Sequence, residues 1–291
     1  MRVFSSYLSY QFQSEAFKQR VRSVAVGQTM PSLNTQILNG INVVLPSPPE
    51  QRAIAAALSD VDALITALDR LIAKKRGIKQ AAMQELLTGK RRLAGFSGIW
   101  GTKKLGDFVS IRNQKVLPSN VDTNTPCVEL EHIGQGNGRL LECSLADYSI
   151  SSKYRFFSGD VLFGRLRSYL RKFWHADRDG ICTTEIWPLV VDPEQATSNF
   201  LFAIVQTDLF IEAASVSYGT HMPRADWGVV RNLEVSLPSI PEQHTITTIF
   251  SNIDAEIAAL EARREKTTAL KQGMMQELLT GRIRLVQGAE A

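Results

Sequence analysis

The sequence predicts an α+β fold in which a mixed α/β domain is joined to two long helices forming an antiparallel coiled coil. Three observations carry that expectation. The segment MQELLTG, Met83 to Gly89, returns unchanged as Met275 to Gly281, 192 residues further on. Upstream of both copies, apolar residues recur at three- and four-residue steps, the spacing of a helix with one packing face. Between the copies lie short apolar runs broken by turn signals, as strands require.

Taken in order, the elements of the repeat align at that offset without a gap. SYQFQSEAFKQRVRS, from Ser9, corresponds to the helix expected from Asn199, and GQTMP (Gly27 to Pro31) meets GTHMP (Gly219 to Pro223). Ile41, Val43 and Leu45 meet Leu233, Val235 and Leu237, each set alternating like a half-buried strand. LPSPPEQ (Leu45 to Gln51) then meets LPSIPEQ (Leu237 to Gln243) and opens the long helix. Ser47 with Glu50, and Ser239 with Glu242, have capping-box spacing. Pro49 and Pro241 suit the first turn, where no backbone donor is lost.

The helical stripes are Ile54, Leu58, Val61, Ile65, Leu68 and Ile72 in one copy, and Ile246, Phe250, Ile253, Ile257 and Leu260 in the other. Gly89 and Gly281 follow them as C-terminal caps. Each helix should run about 40 residues, roughly 60 Å at 1.5 Å per residue. A rod with one narrow apolar face needs a partner, and the two stripes complement one another.

In the middle block, GDVLFGRLRSYLRKFWHADRDGICTTEIWPLVV reads as strands separated by the Asp179-Gly180 turn signal. NFLFAIVQTDLFIEAASVS has helical spacing at Leu201, Ile204, Val205 and Ile211. The expected layout is a closing remnant of a first domain (1–44), a first long helix (45–93), a complete domain (94–236), and a second long helix with its tail (237–291). The first copy lacks anything matching 94–198. A symmetrical counterpart would be about a hundred residues longer.

The 291 residues suffice for about two domains, and 44% hydrophobic with 21% charged residues is ordinary for a globular chain. No apolar run approaches the roughly 18 residues of a membrane span, and MRVFSSYLSYQ does not read as a secretion signal, so the cytoplasm is expected. Cys127, Cys143 and Cys182 form no CxxC pair, which points to reduced, structural thiols. The net charge of +4 permits an anionic partner without demanding one.

Catalytic signatures are missing. There is no Gly-rich loop ending in GK[ST], no GxGxxG after a strand, and no serine or cysteine in an activating motif near His132, His175, His221 or His244. No cofactor and no metal site are expected. Asp160 and Glu185 could be imagined as a metal-nuclease pair, but no lysine follows Glu185 to help activate water.

The charge distribution says more. Between residues 153 and 172, Lys153, Arg155, Arg165, Arg167, Arg171 and Lys172 face only Asp160, a local excess of +5. In GRLRSYLRK the alternation of a strand would put Arg165, Arg167 and Tyr169 on one face and Leu166, Ser168 and Leu170 on the other. Arginine's planar fork matches guanine's O6 and N7, and both cations neutralise phosphates, so double-stranded DNA is the favoured partner over a merely solvated face. The loop YGTH, with Tyr218, Thr220 and His221, is polar and aromatic and would expose side chains beside the stripe.

These residues resemble the specificity (S) subunit of type I restriction-modification systems. The resemblance rests on LPSPPEQRAIAAALSDVDALI with QELLTGKRRL, on LPSIPEQHTITTIFSNIDAEI with QELLTGRIRL, and on GDVLFGRLRSYLRK, CTTE and GTHMP between them. It implies target recognition domains that each read half of a split DNA sequence, spaced by antiparallel helices. It also implies docking of modification (M) subunits, with restriction (R) subunits recruited through the complex, and a chain that is not itself catalytic. Relative to that pattern the front of the first recognition domain is missing, so the chain is expected to read one half-site. The alternative is a shortened assembly scaffold without full recognition, with self-association of such chains as a way to rebuild a two-domain reader.

Overall fold

A computed structural model describes residues 3–24, 35–146, 151–216 and 222–286. Three short helices come first: α1 (Ser5–Gln13), α2 (Glu15–Val24) and α3 (Thr35–Asn39). The long helix α4 (Pro48–Leu86) follows. Strands β1 (Gly101–Lys104), β2 (Val109–Ile111), β3 (Lys115–Val116), β4 (Pro126–Val128) and β5 (Ser144–Leu145) lead to β6 (Lys153–Phe156), β7 (Val161–Gly164), β8 (Phe173–His175), β9 (Gly180–Thr183) and β10 (Ile186–Val191). Then come α5 (Ser198–Ile204), α6 (Asp208–Ser215), α7 (Trp227–Val230), β11 (Glu234–Leu237) and the second long helix α8 (Ile240–Leu278). The chain divides into two units, Met1–Gly77 with Asp254–Ala291, and Ile78–Ile253.

In the first unit α4 and α8 run antiparallel. Asp62 pairs with Lys271 at 2.6 Å, Asp69 with Arg264 at 2.7 Å, and Arg76 with Glu261 at 2.7 Å, numbers rising on one helix as they fall on the other. Exposed pairs of this kind contribute about 0.2–1 kcal/mol each. The apolar seam outweighs them, since a fully buried Leu or Ile contributes about 1.5–3 kcal/mol. Ile54, Ala55 and Leu58 pack with Met275, Leu278 and Leu279 around Tyr7. Gln11 fixes α1 there, its amide donating to the Tyr7 hydroxyl at 2.7 Å and to the Leu279 carbonyl at 2.9 Å.

The repeat is not realised equally in the two units. Ile41 to Leu45, expected to be a strand, has no regular structure, whereas Glu234–Leu237 is a strand because β1 pairs with it antiparallel. Among the described residues the first copy has no such partner. The helix expected from Asn199 is two helices, because Thr197 and Thr207 each accept from a first-turn N–H, of Phe200 and Phe210, and so cap separate helices. Helix α6 buries Phe210, Ile211 and Ala214, while its counterpart α2 buries nothing.

The described residues of the second unit form three sheets. β1 and β11 form a ribbon; β2-β10-β7-β8 is wholly antiparallel; β3-β6-β9-β4-β5 is antiparallel except for the β4–β9 pair. The Asp179-Gly180 signal marks a passage between sheets, since β8 pairs with β7 and β9 with β6 and β4. The main core gathers Phe163, Trp187 and Leu189 from the sheet, Phe200 and Phe210 from α5 and α6, and Leu86, Ile246 and Phe250 from the long helices. Phe156, Leu162, Trp174 and Ile186 fill a second core.

The helix starts are held differently from expectation. Glu242 is 2% exposed and takes Nε and Nη2 of Arg92, both at 2.8 Å, with the Trp100 indole N–H at 3.0 Å. Glu50, 1% exposed, takes Arg284 in the same way within its own unit. The glutamates read as capping boxes are therefore turned towards arginines that follow the other long helix. Gln51 and Gln243 also act alike, donating to the Pro46 and Pro238 carbonyls at 2.8 and 3.0 Å.

Candidate nucleic-acid interface

Strand β7 ends at Gly164, so the basic segment is not the strand that its alternation suggested. Residues 165–172 instead form a bent connection to β8. Arg167 and Arg171 adopt left-handed backbone conformations, φ 51° and 52°, on either side of a single 3-10 turn over Ser168–Leu170. Alternation of side chains holds only while the backbone is extended, so Arg165, Arg167 and Tyr169 do not share a strand face.

The connection is clipped down by its neighbours. The Ser168 hydroxyl donates to the Ala214 carbonyl at 2.9 Å. Arg165 N–H donates to the Glu185 carbonyl at 2.9 Å, Arg167 N–H to the Pro223 carbonyl at 2.9 Å, and Ala225 N–H to the Arg165 carbonyl at 2.8 Å. Residues 165–167, 185 and 223–225 thus form one hydrogen-bonded patch, with Leu166 and Arg224 bridged across it. Such clamps offset the cost of two left-handed arginines, about 1–3 kcal/mol each.

The cations of the expected stripe have diverse surroundings. Lys153 is buried and paired with Glu129, and Lys172 donates to the Leu130 carbonyl at 2.5 Å. Arg171 pairs with Asp208 and also donates to the Gln206 carbonyl. The Arg165 guanidinium lies over the Trp187 ring, 5.5 Å from its centre. Among the described residues, the buried Nε of both Arg155 and Arg165 has no hydrogen-bond partner. Arg155 belongs to β6, in a different sheet from β7. Arg167 and Tyr169 are exposed at the turn, Tyr169 by 56%. The residues Tyr218, Thr220 and His221 lie outside the described residues, as does GQTMP.

Two ion pairs near the basic segment also escaped the sequence reading. Glu185 accepts from Nε and Nη2 of Arg224 at 2.8–3.0 Å, and Asp160 accepts from Arg112 at 2.7 and 2.9 Å under a cation–π contact with Phe157. Nothing in the chain order joins positions 185 and 224; CTTE and GTHMP marked only their neighbourhoods. Both carboxylates imagined for a nuclease are thereby committed to arginines. Among the described residues no group of three or more His, Cys, Asp or Glu is placed to hold a metal ion, and no helix is long and apolar enough to cross a membrane. Cys127 and Cys182 are buried, and burial pushes the Cys182 thiol well up.

The sequence and the fold both have relatives. The chain is 24% identical over 96% of its length to the type I restriction enzyme MjaVIII specificity subunit of Methanocaldococcus jannaschii, spanning 70% of it. It is 22% identical over 87% of its length to the EcoDI specificity subunit of Escherichia coli, and spans 64% of that protein. Its fold is similar to the HsdS subunit of Thermoanaerobacter tengcongensis (TM-score 0.52, 16% identity, 97% of this chain and 71% of that one). It is similar also to the type I restriction-modification S subunit of M. genitalium (TM-score 0.61, 15% identity, 95% and 73%). The sequence model for the type I restriction modification DNA specificity domain matches residues 3–76 and 98–269. A match over that much of the chain, with its repeated halves and its α+β fold, places this protein in the type I restriction modification DNA specificity domain family.

Proposed function

We propose that the chain is a non-catalytic, DNA sequence-specificity subunit of a type I restriction-modification complex. Residues 94–236 act as its target recognition domain and read one half of a split site. Residues 1–44 correspond to the closing part of another such domain, and the helices within 45–93 and 237–291 space the reading head and dock modification subunits, with restriction subunits joining through that complex in the cytoplasm. The observation that carries this reading is the family match over both halves of the repeat. The clamped turn that exposes Arg167 and Tyr169 supports DNA contact there.

The test is a selection from random duplexes with the purified assembly, followed by methylome sequencing of cells that carry it. A split motif is expected in both. Arg167→Ala should weaken binding to all duplexes alike and flatten the salt dependence by about one phosphate's worth if the side chain meets the backbone; a base contact would instead cost about 1–3 kcal/mol at one position. Unchanged binding by Arg167→Ala with Tyr169→Ala removes this turn from the interface.

A second reading has its own observation. Helix α2 buries no residue among those described, whereas its counterpart α6 buries Phe210, Ile211 and Ala214. An assembly scaffold that binds modification subunits without complete recognition, or that associates with its own kind, accords with a helix that buries nothing among the described residues. Co-purification with modification subunits and no sequence preference in the selection would favour it.

A further inference from the structure

Besides the exposed pair of chain neighbours Arg178 and Asp177, four bidentate arginine–carboxylate pairs occur among the described residues: Arg92 with Glu242, Arg112 with Asp160, Arg284 with Glu50, and Arg224 with Glu185. In the first three of these four the carboxylate side chain is 5% exposed or less. Glu185 is 26% exposed and Arg224 41%. This fourth pair sits in the patch that carries Arg167, fixed at both ends through main-chain bonds. The Glu185 carbonyl accepts from Arg165, and the residues on either side of Arg224 bond to Arg167 and Arg165.

The geometry of the fork is informative. Glu185 engages Nε and Nη2 of Arg224, while Nη1 has no partner among the described residues. The second edge of the guanidinium, Nη1 with the outer N–H of Nη2, is therefore held in a fixed plane and left open. Two parallel donors in a plane match the O6 and N7 acceptors on the major-groove edge of guanine. A carboxylate that fixes the arginine moves the rotamer-ordering cost from binding to folding. It also neutralises the charge, so the pair adds little to phosphate attraction, which depends on net cations. Arg171 lacks this arrangement, since its other Nη already meets the Gln206 carbonyl.

We propose that Arg224 is a base-reading residue for guanine and that Glu185 is its positioning residue. This rests on the DNA-reading function proposed above.

The test uses the full chain in the assembly in which it is isolated. The preferred duplex is first selected, then each guanine is replaced singly by 7-deazaguanine, which lacks the N7 acceptor. At one position the wild type should lose roughly 5- to 150-fold in affinity, the range of a bidentate base contact. Arg224→Ala and the charge-preserving Arg224→Lys should bind the parent and the substituted duplex alike, and Arg224→Lys, which keeps the pair neutral, should do so with the salt dependence of the wild type. Glu185→Gln, which keeps the arginine, should relax the same guanine preference while strengthening binding to random DNA; Glu185→Asp should restore part of the preference. Arg224→Lys, with its charge retained and its melting curve matched to the wild type, separates loss of reading from loss of folding.

An Arg224 variant that keeps the full 7-deazaguanine penalty overturns the proposal. So does one that weakens all duplexes equally with a shallower salt dependence, which marks a phosphate contact. A selected site without guanine overturns it while leaving DNA reading intact. A wild type that selects no sequence overturns the proposed function itself.

Discussion

At the residue scale, buried glutamates organise the long helices. The Arg284 guanidinium beside Glu50 holds its carboxyl below the ordinary value of 4.5. A carboxyl lowered in the folded state stabilises fully above its unfolded pKa, and that contribution is lost as pH falls through the folded one. Glu50→Gln should therefore be less stable than the wild type at pH 7 by about 1–3 kcal/mol, and the gap should narrow on acidification below about pH 4.5. Denaturant titrations of both proteins across that range check the sign; a gap that widens in acid contradicts it. Arg92→Ala should be at least as costly, because it leaves Glu242 with only the Trp100 indole. None of these partners was legible in the sequence. The PEQ motifs announced helix starts correctly, but a glutamate three residues after a serine fits a capping box and a long-range arginine equally well, and only tertiary contact decides between them.

At the element scale, the long helices were the most legible part of the chain. Apolar periodicity sustained over about 40 residues has few alternatives, and Ile54, Leu58, Leu68 and Ile72 are indeed buried, as are Ile246, Phe250 and Ile257. Gly89 and Gly281, after the helix ends at Leu86 and Leu278, have φ of 70° and 76°. Gly281→Ala should cost about 1 kcal/mol from backbone strain alone. Gly89→Ala should cost more, since its added carbon would stand 3.1 Å from the Trp100 ring, whereas nothing lies within 4 Å at Gly281. Thermal melts of the two variants test the order; equal losses would show that Trp100 yields freely. The segment after β7 was the least legible element. Its R-L-R-S-Y alternation imitates a strand, and no glycine or asparagine signals the left-handed residues at 167 and 171. The strain is absorbed by hydrogen bonds to residues 185, 214 and 223, which local sequence does not contain.

At the scale of the whole molecule, the repeat found in the sequence has two physical outcomes. The helix–lock chemistry is duplicated faithfully, glutamate to arginine and glutamine to a proline carbonyl, in each unit. The strand is not duplicated, because a strand needs a partner and a helix does not. Fold class was readable because helical periodicity is local; the candidate interface was readable only as a concentration of charge, because pairing decides which cations remain open. Five of the expected DNA contacts, Lys153, Arg155, Arg165, Arg171 and Lys172, are held by neighbours or partly enclosed, whereas Arg167 and Tyr169 stand outward.

On the proposed DNA-reading function, the clamped turn bears on how such a chain could acquire a new target. Its shape is set by main-chain bonds and by the Ser168 hydroxyl, so the outward side chains at 167 and 169 are replaceable without altering the scaffold. A library varying those two positions with Ser168 retained should yield folded proteins of altered preference, whereas Ser168→Val should lower the melting temperature. Under the proposed function, exchange of outward groups on an unchanged frame would offer a route to new targets by single mutations.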